Sequence, residues 1–89
     1  MYFVLNCRDK AGALQVRLDN RDKHLAYARE SGVVFVGGPL IEGGNMVGSM
    51  VIVEVADIEA ARTFAANDPY AKAGLFDSVT ISEWKKVIF

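Results

Sequence analysis

One cysteine and one histidine stand in a chain of 89 residues. A lone Cys7 excludes an intramolecular disulfide and any cysteine-rich zinc site, and a lone His24 leaves a transition metal without its usual ligand set. No charge of one sign dominates: ten Lys and Arg face eleven Asp and Glu, for a net charge of −1. The basic residues are scattered from Arg8 to Lys86, without a stripe or interleaved aromatics, so the chain offers no footprint for a phosphate backbone or a nucleic-acid partner. No apolar run approaches the roughly 18 residues a bilayer span requires. Met1 leads straight into a strand-like segment, without the basic, apolar and cleavage regions of a secretory signal. These absences point to a cytoplasmic protein with no membrane partner, no metal and no cofactor.

What is present is apolar surface. Hydrophobic residues make up 52% of the chain, more than a single domain spanning residues 1–89 can readily hide, because small domains bury a modest share of their surface. A homo-oligomer is the natural outlet for the excess.

The patterning divides the chain cleanly. "MYFVLNC" is rich in β-branched and aromatic residues and reads as a buried strand. From about Ala11 to Ser31 the period becomes helical, with Leu14, Leu18, Leu25 and Ala28 on the expected apolar face, Asp19, Lys23 and Glu30 on the wetter side, and Gly32 as the stop. "VVFVGGPL" reads as a second strand closed by Gly37, Gly38 and Pro39. "IEGGN" reads as a turn and "MVGSMVIVEV" as a third strand, so the second and third strands should form an antiparallel hairpin. Asp57 is placed to cap a second helix with Ile58, Ala61, Phe64 and Ala65 on its apolar side. "NDPYAKAGLF" ends that helix, and "LFDSVTISEWKKVIF" reads as a long final strand. The order βαββαβ is the ferredoxin-like α+β pattern: a four-stranded antiparallel sheet with two helices on one face. Its other face is also apolar, and pairing two such faces, or wrapping the C-terminal strands, would make a homodimer.

Few residues could carry chemistry. His24, in "RDKHL", falls near the edge of the apolar helical face, where a helix meets the rim of a sheet. It is the side chain best suited to moving a proton near neutral pH, and the plain alternative is a half-buried surface histidine. Asp68 precedes Pro69, which disfavours helical geometry at the residue before it. Its carboxylate is therefore free to turn inward or to cap the local backbone. Tyr70 combines an apolar body with one hydroxyl. Ser49 follows Gly48 in a strand, where glycine permits close approach of a ligand or a backbone, and reads as a hydrogen-bond donor rather than a nucleophile. The glycine-rich "VGGPL" and "IEGGN" match no phosphate loop and read as turns. Cys7 reads as a small core residue.

In combination these stretches resemble the YciI-like family of small dimeric α+β proteins. The resemblance runs nearly end to end, through "RDKHL", "VGGPL", "GSMVIVEV", "NDPYAKAGLF" and "WKKVIF". It is most specific in R-x-x-H-L and D-P-Y-x-x-A-G. It implies a ferredoxin-like subunit pairing into a dimeric α/β barrel, similar in architecture to muconolactone isomerase, with an active site around a His–Asp pair, here His24 and Asp68. Arg21, Ser49, Pro39 and Tyr70 match motif positions and are implied to line the same cleft. The resemblance further implies lyase or isomerase chemistry on small acids or lactones, often of aromatic origin.

Three readings follow. In the first, His24 moves a proton while Asp68 orients it and stabilises the imidazolium, with Arg21 or Lys72 holding a substrate carboxylate. In the second, the same pocket binds or senses a small ligand without chemistry. In the third, His24 and Asp68 form a structural tie between the two helices.

Overall fold

A computed structural model describes all residues, 1–89. Strand β1 (Tyr2–Asp9) leads into helix α1 (Leu14–Ser31), followed by β2 (Val34–Glu42), β3 (Asn45–Glu54), α2 (Ile58–Asn67), a single helical turn α3 (Pro69–Lys72) and β4 (Phe76–Trp84). The strands form one sheet in the order β2-β3-β1-β4, antiparallel throughout. The two strands that lead into the helices, β1 and β3, lie at its centre, and the helices cover one face. This is the ferredoxin-like arrangement that the element order predicts.

Strand alternation builds the core. Phe3, Leu5 and Cys7 of β1 point toward the helices beside Val51 and Val53 of β3, and Ala61 and Phe64 of α2 close over them. Asp57 caps α2 as its sequence position suggests, its side chain accepting the Ala60 N–H. Ile58 and Ala65 pack at the margin of this cluster. Tyr27 of α1 stacks on Phe64 at 5.0 Å and donates its hydroxyl to the Phe64 carbonyl, fastening the two helices together. Cys7 is a core residue, 4% exposed.

The structure corrects four details. Leu14 and Leu18 are not on the buried face of α1; they are 47% and 46% exposed. The face turned to the sheet instead follows Arg17, His24 and Ala28, and Arg17 is the one fully buried residue of the helix. At about 100° per residue, Leu14 and Leu18 lie roughly 60° and 100° to one side of Arg17, off the centre of that face. Second, Gly37, Gly38 and Pro39 do not close β2, and "VGGPL" is not a turn; the strand continues through them to Glu42. Proline is tolerated because β2 is an edge strand, so one row of its N–H groups needs no partner. Third, α1 begins at Leu14 rather than near Ala11. Last, β4 ends at Trp84, and Lys85–Phe89 extend beyond it unpaired.

The face away from the helices carries Tyr2, Val4, Val36, Met50, Ile52 and Trp84, with Val36 45% and Met50 36% exposed. No helix is long and apolar enough to cross a membrane.

Candidate functional site

The site is assembled at the open end of the helical layer, where α1, α3 and the β2–β3 hairpin converge. Its floor is the sheet, and one feature of that floor is dictated by a missing side chain. A Cβ on Gly48 would stand 2.2 Å from the Cys7 carbonyl oxygen. Only glycine lets β3 lie this close to β1, and the next residue, Ser49, is thereby set deep in the sheet, 3% exposed.

The turn after α2 supplies the acid. Pro69 holds Asp68 in extended geometry, at φ −61° and ψ 130°, so the helix ends there. The Asp68 side chain then caps the single turn of α3, Oδ1 accepting the Tyr70 backbone N–H at 2.9 Å. The same carboxylate turns inward to His24, with Oδ1 and Oδ2 lying 2.9 and 3.0 Å from Nδ1. It thus both caps the local backbone and faces inward. Gly74, at φ 75°, releases the chain from this turn into β4.

An ionised carboxylate can only accept, so Nδ1 carries the hydrogen and Nε2 is left as the proton acceptor of the neutral ring. The two side chains are 13% and 8% exposed. The Tyr70 ring lies against the imidazole at 4.0 Å and 13°, fixing its plane. Burial pushes the Tyr70 phenol up, and Asp68 adds to this, against the opposing pull of Arg17 and Arg21, so its hydroxyl is protonated at neutral pH.

A second ion pair lies two turns earlier on α1. Arg17 donates from Nε and Nη2 to the two carboxylate oxygens of Asp9 at 2.7 and 2.9 Å, and again from Nη2 to Ser49 Oγ at 2.9 Å. Its guanidinium also sits over the Tyr70 ring, 4.8 Å from the centroid. Burial would lower the Arg17 pKa, but hydrogen bonding and charge from Asp9 outweigh it and the net shift is upward, so the group is a permanent cation.

These side chains line a cleft of about 220 Å³ between α1 and the β2–β3 hairpin. Arg17, Arg21, His24, Arg29, Ser49 and Tyr70 supply its polar side chains, and Leu25, Pro39, Met46, Val51 and Phe64 are among its apolar walls. Asp9 and Asp68 stand behind Arg17 and His24, and no carboxylate lines the cavity. The cleft therefore presents donors and positive charge beside apolar walls, complementary to a small anion with a hydrophobic body.

All six residues singled out from the sequence meet here. His24 and Asp68 are in contact, while Arg21, Ser49, Tyr70 and Pro39 face the same cavity. Lys72, the other cation considered for a carboxylate, does not line it. Sequence reading missed Arg17 and Asp9. Their signal was the recurrence of Arg17, Arg21 and His24 at i, i+4 and i+7, one face of a helix, with an acid at the end of the preceding strand. No group of three or more His, Cys, Asp or Glu residues is arranged to hold a metal.

Comparison with known proteins follows the same outline. Residues 1–85 match the YCII-related domain. Protein YciI of Escherichia coli is 34% identical over 97 aligned positions, covering 98% of this chain and 99% of that protein. The 5-chloro-2-hydroxyhydroquinone dehydrochlorinase TftG of Burkholderia phenoliruptrix AC1100, solved as a complex with 2,5-dihydroxybenzoquinone, is 38% identical. It superposes with a TM-score of 0.89, covering 96% of this chain and 94% of that one. An antibiotic biosynthesis monooxygenase structure, 12% identical with a TM-score of 0.62, shares the fold alone.

Proposed function

The chain belongs to the YCII-related domain family, and from that premise we propose that it is a small-molecule enzyme of the lyase or isomerase type, using His24 as general base and Asp68 as its orienting partner. The observation that carries the reading is the Asp68 carboxylate on His24 Nδ1, which makes Nε2 the basic nitrogen of a residue lining an otherwise cationic and apolar cleft. TftG, similar over nearly the whole chain, is a dehydrochlorinase held with a hydroxylated quinone, and this supports a hydroxylated ring as the substrate class.

In this scheme His24 Nε2 removes a proton from a ring hydroxyl or from carbon beside a carbonyl. The electron pair left behind is delocalised into the ring. In an elimination it expels an anionic leaving group from the conjugated carbon; in an isomerisation the proton returns from His24 to a different carbon. No electrons are gained or lost overall. Asp68 stabilises the imidazolium formed in between. Arg21, exposed at the mouth and lining the cleft, holds an anionic substituent of the substrate.

The enzyme works as a homodimer in this proposal, a second copy covering the apolar sheet face that carries Val36 and Met50, as in a dimeric α/β barrel. Light scattering at micromolar concentration tests the assembly, and a monomer would end that part of the proposal.

The chemistry is tested with a panel of ring substrates that includes 5-chloro-2-hydroxyhydroquinone and unsaturated lactones, followed by mass spectrometry. Turnover by the wild-type protein that is lost in His24→Gln is the expected result. Binding of panel members without any product would overturn the enzyme reading and leave a binding or sensing domain.

A further inference from the structure

The acid–base pair accounts for His24 and Asp68, but not for the second buried pair, between Arg17 of the same helix and Asp9 at the end of β1. Asp9 and Arg17 are 7% and 3% exposed at their side chains, an expensive arrangement for a fold of this size unless the cation is needed where it stands. Ser49 adds to the puzzle. Its Oγ accepts from Arg17, and no acceptor within the chain takes its own hydrogen. A hydroxyl that is almost completely buried and lines the cleft therefore has an unpartnered O–H. Because one lone pair is engaged by a guanidinium, that O–H is polarised and is a stronger donor than an ordinary serine's.

We propose that Asp9, Arg17 and Ser49 form a charged relay ending in a donor for a substrate oxygen anion, with Ser49 the group that touches the ligand and Arg17 and Asp9 the positioning residues behind it. The proposal rests on the cleft being the substrate site, and is independent of what His24 does there. On Arg17, Nε and Nη2 are both committed to Asp9, and Nη2 also to Ser49. Its charge reaches the ligand through the serine hydroxyl. Asp9 fixes the guanidinium plane by its bidentate grip, and Gly48 fixes the depth of Ser49 by letting β1 and β3 close together.

The consequence for specificity is concrete. A ligand oxygen that is neutral in the ground state and gains negative charge as a proton leaves elsewhere on the ring would meet a pre-aimed donor that water need not reorganise to supply. A phenol, an enol or a carbonyl conjugated with the reacting atom satisfies this; a ring bearing only alkyl or halogen groups does not. When the electron pair released by proton removal arrives at that oxygen, the Ser49 O–H stays on the serine and shortens its hydrogen bond, so no proton is transferred there. The cleft then contains one device that takes the proton and another that receives the charge.

The test uses 4-nitrophenolate as the probe and nitrobenzene as its counterpart without the anionic oxygen, both measured by calorimetry at a pH where the phenol is ionised. The intact protein is expected to bind the phenolate more tightly than nitrobenzene. Ser49→Ala should weaken the phenolate about ten- to a hundredfold and leave nitrobenzene within about twofold, the difference made by one hydrogen bond to a charged group. Arg17→Lys keeps a cation beside Asp9 but cannot reproduce the fork, and should weaken the phenolate as well. In the Arg17→Lys/Ser49→Ala double variant the loss should fall well short of the product of the two single losses, because both act through one hydroxyl. Circular dichroism confirms that each variant is folded. Equal binding of both probes by the intact protein, an unchanged phenolate affinity in Ser49→Ala, parallel losses for both probes, or fully multiplicative losses in the double variant would each overturn the relay. Failure of the acid–base reading looks different: no product from any substrate, with the phenolate preference intact.

Discussion

Tyr70 and His24 are joined twice, once by their rings and once through a shared acid. The rings stack at 4.0 Å, and the Tyr70 N–H donates to the Asp68 oxygen that also accepts from His24. The imidazole is consequently held in rotation by the carboxylate and in tilt by the phenol ring. Both constraints come from one short segment whose conformation is set by Pro69.

Replacing the acid tests the first constraint. Asp68→Asn keeps the shape of the site and a cap for α3, but its amide no longer provides a charge to stabilise the imidazolium. On a substrate of the ring panel, kcat should fall by about 10²- to 10⁴-fold with little change in KM. Asp68→Ala should add a loss of about 1 kcal/mol in urea unfolding, the usual cost of an absent cap. Equal kinetic behaviour of Asp68→Asn and the wild type would leave the pair with a structural role only.

The second constraint separates the ring of Tyr70 from its hydroxyl. Tyr70→Phe preserves the stack and should keep kcat within about tenfold, whereas Tyr70→Ala removes a 2% exposed aromatic and should destabilise the fold by about 3–5 kcal/mol. Thermal unfolding of the two variants, run beside kinetics on Tyr70→Phe, distinguishes a spacer from a proton carrier.

Two glycines of the sheet should respond oppositely to the same methyl group. Gly48→Ala drives Cβ to 2.2 Å from backbone that has nowhere to go, and overpacking of that kind costs about 1–3 kcal/mol. Gly38→Ala meets no atom within 4 Å and should change stability by less than about 0.5 kcal/mol. Urea midpoints of the two variants check the contrast.

Alkaline pH should weaken the fold through Cys7. Burial first, and then the charges of Asp68 and Asp9, push its thiol up from 9.0 to about 12. The folded state therefore keeps a proton that the unfolded chain gives up, so stability is full below pH 9 and falls as pH rises from there toward 12. The slope approaches about 1.4 kcal/mol per pH unit from this group alone. The phenols of Tyr27 and Tyr70 are shifted upward as well, chiefly by burial, and add to the decline at higher pH. Cys7→Ala should flatten the first part of the curve of urea midpoint against pH. In the native protein the thiol should resist alkylation at pH 8, since almost none of it is thiolate.

The element order was legible because strands and helices here differ in period and are separated by strong punctuation: Asp57 before α2, Asp68-Pro69 after it, and the glycines of "IEGGN" in the hairpin. The inward stripe of α1 was not. Periodicity analysis assumes that the apolar side faces in, and this helix turns Arg17 and His24 inward while leaving Leu14 and Leu18 in solvent. The same inversion hid Arg17 and Asp9 from the candidate site, since a buried ion pair has the sequence signature of a wet surface. "VGGPL" misled for a topological reason: whether a proline can remain in a strand depends on whether that strand is an edge, and edge position is fixed only by the pairing of distant segments.

Asp68 lies 44 residues from His24 along the chain and is the capping residue between α2 and α3. An intermediate with a complete sheet and a frayed end of α2 would keep most of its hydrogen bonds yet lose the anchor of its imidazole. On the proposed reading, catalytic competence would be a late and local acquisition: it would depend on the docking of one short segment and be the first property lost when that segment opens.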